Sequence, residues 1–370
     1  MMLTYFNHIV GNEPVKQHLA RLLEKKTFSH SLLFAGKEGV GKSLFAEAFA
    51  KAVLCADDPS GFHRTKLDAA IHPDLRIYRP EGKTGMHSID SMRQFSEEVY
   101  RAPYEAHKKV FIIYDADRML TYSANALLKT FEEPAPHSLI LLVSSSPTSL
   151  LSTVLSRCCT FYFSSINEQE MTPFIQNKWQ KNAEEAAILA ALSNGSIGNA
   201  FRLIDRGGDA LRQKILAMLA KGKLTSYLEL MQCVSEIKKQ VESGQQQIEE
   251  TLRAQLTAAL PEEQTSHQQQ ELEKEVEGAV AMHLANEAHS IFECILSWYR
   301  DLHLIQAKGN PEYLLNRDMQ KECEQAQQQH KGILPLEKAQ KAIAQASLGL
   351  ERSLPLESCL ESLFLQLNLL

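Results

Sequence analysis

The stretch Gly36-Lys37-Glu38-Gly39-Val40-Gly41-Lys42-Ser43, which reads G-x-x-x-x-G-K-S, decides the fold of this chain. Residues 31–35 before it are typical of a short buried strand, and residues 44–54 after it have the apolar periodicity of a helix. In the order strand, glycine loop and helix, this pattern forms a cradle for phosphate groups. Glycines let successive backbone N–H groups face a phosphate, and the helix N-terminus adds the positive end of its dipole. The sequence therefore predicts a nucleotide site.

The residues of this loop have distinct expected roles. Those expected to contact the nucleotide are Gly36, Gly39, Val40, Gly41, Lys42 and Ser43. Lys42 would reach the β- and γ-phosphates, and Ser43 would ligate Mg²⁺. The predicted ligand is ATP or ADP with Mg²⁺. The alternative is a glycine turn that enters a helix and binds nothing.

The composition narrows the class of protein. At 370 residues the chain has room for two or three domains. A net charge of −6 argues against broad binding of nucleic acid by this chain alone, although a local basic patch remains open. No apolar run approaches the roughly 20 residues of a membrane span, and the first residues lack the basic start of a signal peptide. Seven cysteines, an odd number, suggest reduced thiols. We therefore expect a cytoplasmic protein with no membrane partner.

Strand and helix patterns alternate up to about residue 165. A buried strand over 109–115 ends in an acid, and it is followed by a helix over 123–132 and by strands over 138–144 and 160–163. Such alternation predicts a parallel sheet with helices on both faces. Its ligand edge lies at the carboxyl ends of the strands, where the glycine loop also sits. The expected fold class is α/β.

After residue 165 the pattern becomes helical throughout. We expect a core over 1–165, a small helical segment over 166–208 and a larger all-α domain over 209–370. Within the last domain, residues 237–288 are rich in Glu and Gln. Apolar residues recur there at helical spacing, at Ile248, Leu252, Leu256 and Leu260, and again at Leu272, Val276 and Val280. This pattern predicts a helical hairpin with narrow apolar seams, and the alternative is a partly disordered acidic insertion.

A second acid of the expected phosphate site lies in residues 111–117. A hydrophobic strand that ends in Asp115 would bring a carboxylate close to Mg²⁺. The next position, where many such ATPases carry a water-activating Glu, is Ala116. On a strand-like backbone the side chain of Asp117 would point elsewhere. We therefore expect nucleotide binding without fast hydrolysis.

Together these motifs resemble the clamp-loader branch of the AAA+ ATPases, and within it the delta-prime family of bacterial DNA polymerase III. The stretches that carry the resemblance are 6–13, the His-Pro-Asp of 72–74, 125–134 and the Ser-Arg-Cys of 156–158. The resemblance is strong over 6–165, fair to about 206 and thin beyond. It implies an AAA+ P-loop core with Val10 and Gly11 near the adenine base, a small helical lid, and a C-terminal all-α collar that holds subunits together.

The chain also departs from that family. Relatives usually carry four cysteines that bind Zn²⁺ between the P-loop helix and His-Pro-Asp. Here that span retains Cys55, with His63 and His72 nearby, and we expect no zinc site. Gly198 stands where motor subunits have a phosphate-sensing Arg, whereas a polar residue of 144–146 could still sense the γ-phosphate. The missing Glu and Arg both indicate weak ATPase activity of its own.

The resemblance assigns one catalytic role, that of an arginine finger, to Arg157 of the Ser-Arg-Cys motif. A planar, permanently charged guanidinium can stabilise charge on a phosphoryl group bound by a neighbouring subunit. The alternative is a solvated Arg at the start of a strand.

The implied function is that of a delta-prime subunit, which helps load the sliding clamp onto primed DNA together with gamma/tau-type and delta-type subunits. It would bind ATP and donate Arg157 to the neighbouring ATP site. The alternatives are a gamma/tau-type ATPase motor and a non-replicative AAA+ adaptor.

Overall fold

The computed structural model describes residues 2–58, 60–120, 123, 127–205, 210–259, 266–329 and 334–369. The chain forms two compact units. The first comprises Met1–Glu81, Gly85–Ala186 and Ser193–Ala200, and the second comprises Gly82–Thr84, Ala187–Leu192 and Phe201–Leu370. The division of the chain into core, lid and collar domains remains a prediction.

A five-stranded parallel sheet lies at the centre of the first unit. Its strands are β1 (Ser31–Gly36), β2 (Leu75–Tyr78), β3 (Lys109–Ile113), β4 (Ser138–Ser144) and β5 (Cys159–Phe163). They pair in the order β2-β3-β4-β1-β5, so that β2 and β5 are the edges. All residues of β3 and β4 are buried, as expected for strands covered on both faces. The predicted α/β class with a parallel sheet is confirmed.

Helices precede, connect and follow these strands, and the last two of them are divided between the two units. They are α1 (Glu13–Lys25), α2 (Lys42–Leu54), α3 (Phe62–Asp68), α4 (Ile89–Val99), α5 (Leu128–Glu132), α6 (Ser152–Leu155), α7 (Glu168–Trp179), α8 (Ala183–Leu192) and α9 (Ile197–Asp205). The chain also makes short 3-10 turns at Met2–Tyr5, Ala116–Arg118 and Pro147–Ser149.

Each face of the sheet has its own apolar core, because successive strand side chains point to opposite faces. On one face, Phe34 and Ile112 pack with residues of α1 and α2 such as Phe45. On the other, Phe111 packs with residues of α4, α5 and α6. The two cores fix the loops at both ends of the strands. The glycine loop and Arg157, for which the sequence predicts functions, lie in these loops.

Three predicted boundaries shift in the structure. The third strand ends at Ile113, so Tyr114 and Asp115 form a turn and are not part of the strand. The helix predicted over 123–132 is seen as α5, with residue 123 also helical and 124–126 outside the described residues. The last strand begins one residue early, at Cys159.

The second unit is helical in its described part. Its helices are α10 (Ala210–Lys221), α11 (Tyr227–Ala259), α12 (Ser266–Gln306), α13 (Gln320–Gln329), α14 (Leu336–Glu351) and α15 (Leu356–Gln366), with 3-10 turns at Pro311–Tyr313 and Arg317–Met319. Trp298 of α12 is the largest fully buried side chain of its core, and Leu230 and Phe364 pack with it. None of the helices in the described part of the chain is long and apolar enough to cross a membrane.

The Glu/Gln-rich segment is helical over residues 237–259 and 266–288. Arg253 of α11 donates two hydrogen bonds to the carboxylate of Glu273 on α12, at 2.9 and 2.8 Å. Along the predicted seams Val276 is buried, and the half-buried positions are Ile248, Leu252, Leu256, Leu272 and Val280. Leu260 and the break at 261–263 lie outside the described residues.

Candidate nucleotide site

The glycine loop joins the end of β1 to the start of α2, as its sequence predicts. Gly36 has φ 154°, and a Cβ there would collide with the backbone oxygen of Phe163 in β5. Gly39 has φ 75°, and a Cβ there would collide with the side chain of Ser196. Both positions therefore need glycine. The loop backbone is therefore tightly curled, which fits a phosphate ligand.

Lys42 begins α2 and is buried. Its ammonium donates hydrogen bonds to the backbone oxygens of Gly36 at 2.6 Å and Lys37 at 2.7 Å. Burial lowers the pKa of Lys42, while the charges of Glu38, Asp115 and Asp117 act in the opposite direction. The structure thus brings the predicted lysine and Asp115 into one charged group at the loop, and the predicted magnesium ligand Ser43 is exposed beside Lys42.

Asp115 lies in a turn after β3, with a left-handed backbone at φ 49°. Burial and, to a smaller extent, the neighbouring charge of Asp117 raise the pKa of Asp115 to about 6. A cation bound beside it would favour the ionised form and lower this pKa. The carboxylate is therefore suited to a metal ion, which it would hold together with Ser43.

The 3-10 turn Ala116–Arg118 overturns the strand-like backbone predicted for Asp117. The carboxylate of Asp117 accepts hydrogen bonds from Ser144 Oγ at 2.6 Å and from the backbone N–H of Ser145 at 3.2 Å. Ser144 Oγ in turn accepts from the backbone N–H of Ser146 at 3.1 Å. Of the three serines suggested as γ-phosphate sensors, Ser144 therefore already donates its hydroxyl to Asp117.

The sequence patterns assigned no role at the site to three residues beside this turn, Arg79, His87 and Tyr114. Tyr114 donates its hydroxyl proton to Glu47 of α2 at 2.6 Å, and the Arg79 guanidinium lies 4.1 Å from its ring centroid. The buried imidazole of His87 contacts the backbone oxygen of Tyr114 through Nε2 at 2.8 Å. Alternation along the strand predicts that Tyr114 faces α2, but the contacts of Arg79 and His87 join distant parts of the chain.

The segment expected near the adenine base lies against the loop. A Cβ on Gly41 would be 3.9 Å from Ile9, the residue before Val10. Gly11 packs on Ile166, which follows β5. Asn12 links the same regions, because its side chain accepts from the backbone N–H of Ser164 at 2.8 Å and donates to its oxygen at 3.1 Å.

Gly198 at the start of α9 also touches the loop. Its backbone N–H donates to the oxygen of Gly39 at 3.1 Å, and a Cβ on Gly198 would lie 3.1 Å from the Cα of Gly39. The position predicted to lack a phosphate-sensing Arg is therefore adjacent to the glycine loop, and its backbone makes a contact that a side chain would crowd.

Arg157 lies in the turn between α6 and β5. Its Nη2 donates to Glu132 at 2.5 Å, and its Nη1 donates to the oxygen of Thr153 at 2.8 Å and to Ser156 Oγ at 3.2 Å. About a third of the side chain is exposed.

Arg157 and the glycine loop lie at opposite ends of the strands of the sheet. Strands β1 and β5 are parallel, with Leu32 opposite Cys159 and Gly36 opposite Phe163. The loop follows the carboxyl end of β1, whereas Arg157 precedes the amino end of β5. The five residues of β5 span roughly 16 Å, which is more than an arginine side chain can cross. Arg157 therefore cannot reach the phosphates of its own loop.

One cluster of metal-type side chains occurs in the described part of the chain, formed by His63, His72 and Glu105. The backbone N–H of Asp74 donates to His72 Nδ1 at 3.1 Å, so His72 Nε2 carries the proton and donates to His63 Nδ1 at 2.9 Å. Both oxygens of Glu105 accept from Lys66. The nitrogen lone pairs are thus used within the protein, which does not fit a metal site, and the expected absence of zinc stays a prediction.

Known proteins share this core. The model of the family described as DNA polymerase III, delta subunit, matches residues 11–167. The delta-prime subunit of Bacillus subtilis is 35% identical over 154 residues, which are 40% of this chain and 46% of the relative. The tau subunit of the same organism is 31% identical over 227 residues, or 56% of this chain and 39% of the relative. The chain therefore spans about two fifths to half the length of these curated relatives.

Two solved structures align at low similarity. A gamma-subunit-related protein of Thermotoga maritima is 17% identical, with TM-score 0.34, over 91% of this chain and 98% of that one. The RuvB Holliday junction branch migration motor of the same organism is 17% identical, with TM-score 0.40, over 59% and 67%. The fold assignment rests instead on the sheet, the glycine loop and the family match. The chain is therefore similar in sequence to subunits of DNA polymerase III, and its residues 11–167 match the model of one such family.

Proposed function

We propose that the chain is a delta-prime-type subunit of a DNA polymerase III clamp loader. In this role it binds nucleotide at its glycine loop and donates Arg157 to the ATP site of a neighbouring subunit. Its matches to delta-prime, gamma and tau subunits support the assignment to a clamp-loader complex. The finer assignment to delta-prime rests on the chemistry of the site.

The opposite placement of Arg157 and the loop carries this proposal. A guanidinium that is partly exposed and out of reach of its own loop can act on a phosphate only if another subunit brings that phosphate to it. The loop and the arginine therefore suit two different contacts of a ring, one on each side of the subunit.

Nucleotide binding is supported by the formed loop. Gly36, Gly39, Val40 and Gly41 supply the backbone cradle, and Lys42 the positive charge. Mg²⁺, when bound, neutralises phosphate charge, and its ligands would come from Ser43 and Asp115. Val10 and Gly11 would lie near the base.

Turnover by the chain's own site should be weak. Ala116 carries no group that could orient water, and it is buried. Gly198 brings no cation, and the Ser144 hydroxyl is bonded to Asp117. These three features separate binding from hydrolysis, as expected of a subunit whose main contribution is to its neighbour.

The proposed partners are gamma/tau-type and delta-type subunits, and through the complex the sliding clamp and primed DNA. Helices after residue 209 would form the collar, because a single arginine contact cannot fix the geometry that catalysis needs.

Substitution of Arg157 tests the proposal. In a complex reconstituted from cognate subunits, Arg157→Ala should leave assembly intact. Hydrolysis at the ATP site that receives the finger should slow by about 10³-fold or more. The rate of clamp loading should therefore fall steeply, and the total ATPase rate should fall by the fraction that this site contributes. The control is Arg101→Ala, which removes an exposed arginine two residues after α4. Clamp loading at the wild-type rate by the Arg157→Ala complex would show that the proposed role is wrong.

A gamma/tau-type motor is the second candidate. The similarity to the tau subunit extends over 227 residues, and Lys42 and Ser43 are intact. Steady-state ATPase of the isolated chain separates the two candidates. The delta-prime assignment predicts little turnover, which Lys42→Ala would not lower further, whereas brisk hydrolysis abolished by Lys42→Ala would support the motor.

A further inference from the structure

We propose that Glu132 is a positioning residue that orients Arg157 for its contact with the neighbouring subunit. This inference rests on the proposed role of Arg157 in trans. Glu132 is the last residue of α5, and Arg157 lies 25 positions later in the turn after α6. It does not touch nucleotide in this proposal and acts only through the guanidinium.

Glu132 provides the charged partner of the guanidinium. Its Oε1 accepts from Arg157 Nη2 at 2.5 Å, while Thr153 and Ser156 hold Nη1 at 2.8 and 3.2 Å. Bonds to both terminal nitrogens fix the plane of the group as well as its location. A charged acceptor makes the strongest of these bonds, and its removal should loosen the guanidinium most.

The two residues are carried by elements anchored on the same core. Leu127 and Phe131 precede the acid in sequence, and Leu150 and Val154 precede the arginine. All four side chains are buried together on one face of the sheet. Thr130 adds a hydrogen bond to Ser96 Oγ of α4 at 2.7 Å. Both ends of the ion pair are therefore held by rigid structure, which makes the pair an effective support.

The pair still leaves donors for a phosphate. Arginine has five N–H groups, and the bonds seen within the described chain use three of them. The Nε–H and one Nη2–H remain, on a side chain that is 33% exposed. A guanidinium ordered in advance loses less rotamer freedom when it meets the phosphate. These features favour the interpretation that Glu132 orients Arg157 for the phosphate over the interpretation that it holds Arg157 away from it.

The test compares variants in the reconstituted complex by the rate of clamp loading against ATP concentration. Glu132→Ala should lower the maximal rate by about ten-fold with little change in the ATP concentration for half-maximal rate. Glu132→Gln keeps an acceptor oxygen and should restore part of the rate. The matched control is Glu133→Ala, which removes the adjacent exposed carboxylate. Thermal unfolding confirms that each variant is folded.

A double variant identifies the route of the effect. In the Arg157→Ala background, Glu132→Ala should cause no further loss. If Arg157→Ala is slow and Glu132→Ala is as fast as wild type, or faster, the positioning role fails while the finger stands. An equal loss from Glu132→Ala with and without Arg157 also overturns it, because the acid then acts elsewhere. If Arg157→Ala itself loads clamps normally, the proposed function fails, and this inference with it.

Discussion

At the scale of single residues, the glycine loop is formed between β1 and α2, and the two acids near it have different surroundings. Lys42 is held by loop oxygens, and Asp115 is a buried carboxyl whose pKa is raised to about 6. Asp117 differs from it, because its carboxylate accepts two hydrogen bonds. Burial thus disfavours the ionised form of Asp115, whereas hydrogen bonds satisfy the carboxylate of Asp117. Measurements of stability against pH should distinguish the two acids.

The stability of the fold should depend on pH through Asp115. Its folded pKa of about 6 lies above the ordinary value of 3.8, so the folded state binds the extra proton and stability should fall as pH rises from about 4 to 6. Asp115→Asn mimics the protonated form. With EDTA present, it should raise the free energy of unfolding at pH 7.5 by on the order of 1–3 kcal/mol and change it little at pH 4, as measured by urea denaturation.

Asp117→Asn is the matched control for that experiment. The carboxylate of Asp117 is hydrogen-bonded in the fold, so neutralising it should not stabilise the protein at pH 7.5. A destabilising effect of Asp115→Asn at pH 7.5, or the same effect at both pH values, would contradict the assignment of a buried, raised-pKa carboxyl.

At the scale of elements, buried polar contacts fix segments that have little regular structure. On α12 the fully buried Asp301 accepts hydrogen bonds from the backbone N–H groups of Leu315 and Asn316, at 3.1 and 2.8 Å, and from Asn316 Nδ2 at 2.8 Å. These bonds tie the segment after the 3-10 turn Pro311–Tyr313 to a core helix. Arg212 of α10 reaches the same segment through Asn316 and Asp318.

Asp301→Ala should therefore destabilise the second unit. It would leave buried N–H donors without an acceptor, at a cost of about 2–4 kcal/mol. Asp301→Asn keeps one acceptor oxygen and should cost less. Guanidinium denaturation of the full chain measures both, and Glu250→Ala, at an exposed position of α11, serves as the control. An unfolding midpoint of Asp301→Ala equal to that of the control would show that the contact does not stabilise the segment.

At the scale of the whole molecule, the Glu/Gln-rich arms contribute unequally to the second unit. Ile237, Val241, Ala288 and Ile291 belong to its core. Beyond them the apolar seam is mostly half-buried, with Val276 as the exception. A deletion of about 240–286 would remove the buried Val241. A deletion of the outer arms should therefore begin and end farther from the core.

Replacement of residues 248–279 by a short Gly/Ser linker should leave the fold and assembly of the complex intact. Gly244 and His283 lie in contact across α11 and α12, so the ends of the deletion are close enough for such a linker. Size-exclusion chromatography with cognate subunits measures assembly. A chain that lacks 209–370 should not assemble, and the prediction is wrong if the shorter deletion also prevents assembly.

The amino-acid sequence by itself determined the features that depend on local order. The glycine loop, the strand and helix periods and the helical arms follow from residues that are neighbours along the chain, and the structure contains them with shifts at three predicted boundaries. Only the tertiary structure decided the edge at which Arg157 lies, its pairing with Glu132, and the bonds of Asp117 to Ser144. It also decided the contact between His63 and His72. The physical reason is that hydrogen bonds and ion pairs depend on distance in space, and strand pairing and a single turn at Asp115 bring together side chains that no spacing in the sequence connects.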